Sequence, residues 1–264
     1  MTPDDLLQVY DAEVRATYPA RIPPGWSVTR DGPLARTVMP REGFAMLVED
    51  ASRLTRDELA ALVERTFAFY AEQGLGFEWK TFDHDRPDLE PLLVAAGARP
   101  DAHEALVLGE TRLLAADPVL PDDLTLREVD ARADLERIAA MESEVWGEDW
   151  SWLADDLEER LAAVHDPVRV FVVEDLASDR VVSAAWLAPL VGTRVAGLWG
   201  GSTLTAYRGR GVYRALVAAR ARLALELGHD LLQVDASDDS RPILERLGLL
   251  TVGGTTPYVA RSAP

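Results

Sequence analysis

The sequence predicts a mixed α/β fold: a largely antiparallel, α+β type sheet with helices on both faces, built twice along the chain. Three observations predict it. Strand-like runs follow one another at 168–174, 180–187 and 194–198, the pattern of an antiparallel meander. Strands and helices then alternate to the end of the chain, which predicts a parallel pair. Finally, the succession glycine, strand, short helix, glycine, strand occurs at 74–108 and again at 228–252.

The elements are justified in order from the better-patterned half. A connector is expected at 111–122, where two prolines and several acids interrupt the apolar periodicity. Apolar residues alternate at 124–129, giving a strand. Residues 133–145 repeat Leu135, Ile138, Ala139 and Met141 near the helical period, and a second helix is expected over 152–164. After the meander, Gly211 to Leu227 reads as a long helix closed by Gly228. Residues 231–234 form a buried-type strand. Asp239 and Ser240 can cap a short helix ending at Gly248, and 249–259 is the last strand. In the first half, a helix over 55–73 ends at Gly74, a strand covers 77–82, a helix over 86–96 ends at Gly97, and a strand covers 104–108. Arg-Pro opens the short helix in both copies, at 86–87 and 241–242. We read this as a divergent tandem duplication, with one domain over 1–115 and a second over 120–264.

Composition narrows the function classes. Of 264 residues 48% are hydrophobic and 27% charged, so a core can form. The chain has no cysteine, which removes disulfides, thiolate metal sites and cysteine nucleophiles and fits a cytoplasmic, reducing location. No apolar run is long enough to cross a membrane, and the amino terminus does not read as a signal peptide. The net charge of −18 repels nucleic acid and anionic lipid. Asp83-His84-Asp85 is read as a helix cap rather than a partial metal site, and no metal is expected.

The chemical signal is Arg208-Gly209-Arg210-Gly211-Val212-Tyr213, between a strand and a long helix. A helix N-terminus offers unpaired N–H groups and partial positive charge to a phosphate. Glycines at 209 and 211 let the backbone approach the anion, and the two arginines add cationic donors. The Walker phosphate loop is absent, as is a complete Gly-x-Gly-x-x-Gly.

This loop resembles the pyrophosphate loop of the GNAT (N-acetyltransferase) superfamily, Gln/Arg-x-x-Gly-x-Gly/Ala, with Arg208 first, Gly211 fourth and Tyr213 replacing the final small residue. The ending Glu245-Arg-Leu-Gly-Leu249 is similar to the superfamily's Glu-Lys-x-Gly-Phe segment. The resemblance covers 120–264. It implies a GNAT-like mixed sheet and acetyl-CoA as acyl donor, with the pyrophosphate at Arg208, Gly209, Arg210, Gly211, Val212 and Tyr213. Gly201, Ser202 and Thr203 would offer main-chain hydrogen bonds to the pantetheine arm.

The resemblance also implies direct attack by an acceptor amine, which needs a base and an acid. Glu142, Glu144, Glu148 and Asp149 border the expected acceptor side, and Asp235 ends the strand after the long helix. The tyrosine that family members often carry in the last short helix is Leu244 here, leaving Ser240 or Tyr258 as substitute acids. Trp146, Trp150 and Trp199 are candidate substrate contacts, because aromatic faces and acids together suit a cationic amine; Trp152 completes their cluster. The first half lacks an Arg/Gly loop, so it is expected to be a degenerate GNAT-like domain without cofactor. The resulting expectation is an N-acetyltransferase acting on a primary amine of a small molecule. The alternatives are a catalytically silent acyl-CoA-binding protein and a protein lysine or N-terminal acetyltransferase.

Overall fold

The computed structural model describes residues 1–23, 25–163 and 167–261. Seven α-helices and twelve strands, mostly in antiparallel pairs, are present among the described residues. The chain divides into two compact units that do not follow a single cut in the sequence. Unit 1 is Met1–Val107 with Asp235–Arg246 and Leu250–Pro264; unit 2 is Leu108–Val234 with Leu247–Leu249. The residues from 235 onward, grouped by sequence with the second domain, thus lie almost entirely in unit 1.

Unit 1 opens with α1 (Pro3–Val9), whose Thr2 and Asp5 form a capping box. Three short strands follow, β1 (Ser27–Asp31), β2 (Leu34–Val38) and β3 (Gly43–Leu47), paired antiparallel. The sequence patterning had left this region unassigned. Helix α2 (Arg56–Ala71) connects β3 to β4 (Phe77–Phe82), and these two strands are parallel. Helix α3 (Leu89–Ala95) is followed by the two-residue β5 (Arg99–Pro100) and by β6 (Glu104–Glu110).

Unit 2 contributes β7 (Leu124–Val129), α4 (Arg132–Trp146) and α5 (Leu153–Leu161). The expected end of α5, residue 164, lies outside the described residues. The meander is β8 (Arg169–Asp175), β9 (Arg180–Pro189) and β10 (Val195–Thr203), running β7-β8-β9-β10 with antiparallel pairing throughout. Helix α6 (Val212–Glu226) then returns the chain to β11 (Leu231–Ala236), parallel to β10. Val181–Ala185 are buried without interruption, so β9 is covered on both faces. Leu135 and Ile138 of α4, Leu157 of α5 and Leu216 of α6 all join the core built on these strands.

Two antiparallel pairings, a helix and a parallel strand thus occur in each unit, β1-β2-β3-α2-β4 and β8-β9-β10-α6-β11. The last elements are α7 (Arg241–Arg246) and β12 (Leu250–Ala260). Strand β12 pairs antiparallel with β4, Tyr258 opposite Trp79, and carries β5 on its other side near Val259. Tyr258 and Ala260 belong to the unit 1 core with Trp79, Tyr70 and Phe77.

Candidate active site

The site begins where β10 and β11 part. They pair only over Val195–Gly197 and Leu231–Gln233, while β10 continues to Thr203. Beyond Gly197 it keeps only β9 as a paired neighbour, with a register shift between Gly200 and Ser202. Gly200 and Gly201 both have positive φ, 67° and 100°. A Cβ on Gly200 would stand 2.7 Å from the Trp186 ring, so this bulge admits no side chain there. The strand-like run was expected over 194–198; here the strand continues to Thr203, with the Gly-Gly pair as a bulge inside it.

The loop after β10 sits as the sequence predicted, directly before α6. Gly211 is the N-cap of α6 and has no side-chain cap, so the first N–H groups of the helix are left for another acceptor. A Cβ built on Gly209 meets nothing within 4 Å, and on Gly211 nothing nearer than 3.8 Å. The cradle is therefore open. The arginines are already engaged. Arg208 Nε donates to Thr203 O at 3.0 Å, and Arg210 Nη2 donates to both Asp123 oxygens at 2.7 and 2.8 Å. The Arg210 guanidinium also lies over the Tyr207 ring, and Tyr207 Oη donates to Asp175 at 2.8 Å. These ties pin the loop to Asp123 just ahead of β7, to β8 and to β10. Val212 is buried in the core. Tyr213, the departure from the family pattern, lays its ring against Gly201, 3.1 Å from the position of an added Cβ, and so packs on the strand.

Of the carboxylates weighed from sequence, Glu142 is distinct. It is 2% exposed on α4, takes a hydrogen bond from Trp146 Nε1 at 2.9 Å, and leaves Oε1 without a hydrogen-bond partner. Burial raises its carboxyl above the usual range, opposed by the Ser202 hydroxyl and the Trp146 indole. Glu142 therefore faces the bulge of β10. Glu144, two residues on, points elsewhere and is paired with Arg180 at the surface. Glu148 and Asp149 lie in the exposed turn after α4, where Asp149 accepts from Ser151 N.

Trp146, Trp150 and Trp152 stack in sequence, with centroids 6.2 and 5.2 Å apart. Trp146 is 59% exposed and Trp150 packs against the core. Trp199 is also exposed, on β10 one residue before the bulge. The remaining candidates lie in unit 1. Asp235 is ion-paired to Lys80, Ser240 bonds within the Ser237 turn, and Tyr258 is buried beside Glu90, its phenol pushed up to about 12 by burial and by that carboxylate. His84 and Asp85 are held by Arg15, and the largely buried Asp85 also accepts from Phe82 N; the helix cap expected of this tripeptide does not form, because α3 starts after Asp88 with no side-chain cap. Among the described residues no group of three or more His, Asp or Glu could hold a metal ion.

The parallel position in unit 1 is built differently. Helix α2 begins at Thr55, whose Oγ1 accepts from Glu58 N while Glu58 accepts from Thr55 N, so its first turn is already capped by a carboxylate.

No family model matches the chain, and no curated protein matches it. Solved structures do. A GCN5-related N-acetyltransferase from Kribbella flavida superposes with a TM-score of 0.68 at 16% identity, covering 99% of this chain and 95% of that one. The chain has the fold of the GCN5-related N-acetyltransferases. A second such structure, from Sphaerobacter thermophilus, gives 0.63 at 12% identity over 88% of this chain and 78% of that one. A tandem GNAT protein from the clavulanic acid biosynthesis pathway gives 0.63 at 14% identity over 100% of this chain and 98% of its own. The match to a tandem protein runs the full length, in keeping with the repeated strand and helix order of the two units.

Sequence reasoning missed Gly200 and Arg220. Gly200 was signalled by a Gly-Gly pair inside an apolar strand, a mark of a bulge or close approach. Arg220 was signalled by a charge on the apolar face of α6, where it is 1% exposed.

Proposed function

We propose that unit 2 binds acetyl-CoA at the β10–α6 junction and that the protein transfers the acetyl group to a primary amine of a small molecule. The observation that carries this is the parting of β10 from β11 after three residue pairs, next to an uncapped helix N-terminus. Arg208, Gly209, Arg210, Gly211, Val212 and Tyr213 would hold the pyrophosphate, chiefly through main-chain N–H groups, since both arginine side chains already serve the loop. Gly201, Ser202 and Thr203 would present main-chain groups to the pantetheine arm. Acetyl-CoA supplies an activated acyl group as a thioester.

The chain must then take a proton from the attacking ammonium. Glu142 suits this task better than Glu144 or Asp235, because it has an unpartnered oxygen, no cationic partner and a raised carboxyl. Trp146, Trp150 and Trp199 offer ring faces to the cationic acceptor. Calorimetry with acetyl-CoA on the native chain and on Gly211→Glu tests the loop. The variant puts a carboxylate where the pyrophosphate would sit and is expected to lose binding. Absence of binding to the native chain removes the proposal.

One observation favours a catalytically silent acyl-CoA-binding protein. Position 244 is a fully buried leucine and offers no hydroxyl to a leaving thiolate. Thiol release from acetyl-CoA over a panel of amines separates the two. Amine-dependent release that Glu142→Gln lowers by about a hundredfold supports the enzyme; tight binding with no release supports the silent protein.

A further inference from the structure

Arg220 is the largest charged side chain buried in unit 2, and its placement is unusual. It lies on α6 two turns beyond the loop, 1% exposed. Its hydrogen bonds all go to main-chain carbonyls: Nε to Leu216 O at 3.0 Å, Nη1 to Trp186 O at 3.3 Å and Nη1 to Trp199 O at 3.0 Å. No ion pair to a carboxylate forms among the described residues. Burial pulls the guanidinium down to about 10, with the nearby Tyr213 phenol acting in the other direction. A leucine or methionine would pack the helix on the sheet without desolvating a charge. Packing alone therefore does not account for an arginine here.

The two strand carbonyls fix a direction. Trp186 and Trp199 are directly opposite across β9 and β10. One nitrogen reaches both oxygens only if both point into the space between these strands, because outward-pointing carbonyls of a facing pair lie too far apart. The Trp199 carbonyl therefore points toward β9. The peptide bonds are trans, so the N–H of Gly200 points the opposite way, to the side from which β11 has departed. A cationic hydrogen bond on the carbonyl also polarises that amide and strengthens its N–H as a donor.

We infer that Arg220 is a positioning residue that locks and polarises the Trp199–Gly200 peptide, so that the Gly200 N–H is presented in the split as the donor to the acyl oxygen of a bound thioester. This rests on the proposed acetyl-CoA site. It adds a residue that touches no ligand yet sets how strongly the acyl carbonyl is held. It also explains why Gly200 carries no side chain: the Trp186 ring occupies that space, and the peptide must turn at positive φ directly after its donor.

The test compares CoA with acetyl-CoA by calorimetry, together with the infrared carbonyl band of acetyl-CoA labelled with carbon-13 at the thioester carbonyl. The proteins are the native chain, Arg220→Met, Arg220→Lys and the core control Leu223→Ala. The native chain is expected to bind acetyl-CoA about threefold to tenfold more tightly than CoA, the range of one hydrogen bond, and to shift the band to lower frequency. Arg220→Met should keep CoA affinity, bring the ratio to about one and remove at least half of the band shift. Arg220→Lys should fall between, and supplies the reading if the methionine variant does not fold. Leu223→Ala should lower thermal stability and leave ratio and band as in the native chain. An unchanged ratio and band in both Arg220 variants, with CoA still bound, overturns the inference while leaving the cofactor site standing. Failure of the native chain to bind either compound overturns both.

Discussion

At the scale of single residues, the site depends on charges whose environments differ. Glu142 accepts a proton only when ionised, and burial raises its carboxyl. With Glu142 as the proposed base, acetyl transfer should rise with pH through an ionisation above the ordinary carboxylate range, and Glu142→Gln should abolish that limb of the pH profile. Arg210 is neutralised by Asp123. Asp123→Asn removes a negative charge beside the loop and should tighten acetyl-CoA binding by about twofold to fivefold at low salt, less at high salt; titration calorimetry at two ionic strengths checks this. In unit 1, burial pushes Glu78 up to about 7, with Lys80 opposing and Glu42 reinforcing. A carboxyl raised on folding favours the folded state fully below its unfolded value, and that contribution is lost as pH rises through the folded value. Stability should fall between about pH 4.5 and about pH 7, and Glu78→Gln should flatten the fall by a few degrees of melting temperature.

At the scale of elements, α2 and α6 show how two helices in similar positions acquire different capacities. The first turn of α2 is closed by Thr55 and Glu58, that of α6 is left open by Gly211. This contrast was legible in the sequence, because capping residues and glycines act locally. So were α4, α6 and the meander, whose apolar periods are long. Strand β1 was not, since its residues are mostly exposed and give no alternation. The extension of β10 to Thr203 was hidden by glycines whose reason is the Trp186 ring on a neighbouring strand. Glu142 could be named as one of several acids but not singled out, because burial is a property of the packed helix. Gly200→Ala tests the bulge. It forces a side chain into positive φ and against Trp186, and should cost about 1–3 kcal/mol in denaturant unfolding and weaken acetyl-CoA binding.

At the scale of the whole molecule, the contact units cut across the sequence halves. The strand β4 near the amino terminus is completed by β12 from the carboxy terminus, and Trp79 of one faces Tyr258 of the other. Nothing in the local pattern of 250–260 could name that partner, because an apolar strand does not specify its neighbour. Removal of residues 250–264 should therefore destabilise the amino-terminal strands. Hydrogen exchange should show loss of protection in β3 and β4, and the buried Trp79 should become accessible to quenchers. Unchanged protection there would contradict the assignment of β12 to unit 1.

The same pairing has a consequence during synthesis. Thr81 and Thr256, which share a hydrogen bond, are separated by 175 residues. At about 5–20 residues per second, β4 emerges on the order of ten to forty seconds before its partner. Throughout that interval one side of a strand bearing Phe77, Trp79 and Phe82 has no permanent neighbour, and open strand edges recruit other chains. Crowded ribosomes translating the same message would place such edges side by side. The yield of native protein should then depend on translation rate and on chaperones that hold the nascent amino-terminal half, more than on the stability of the finished molecule.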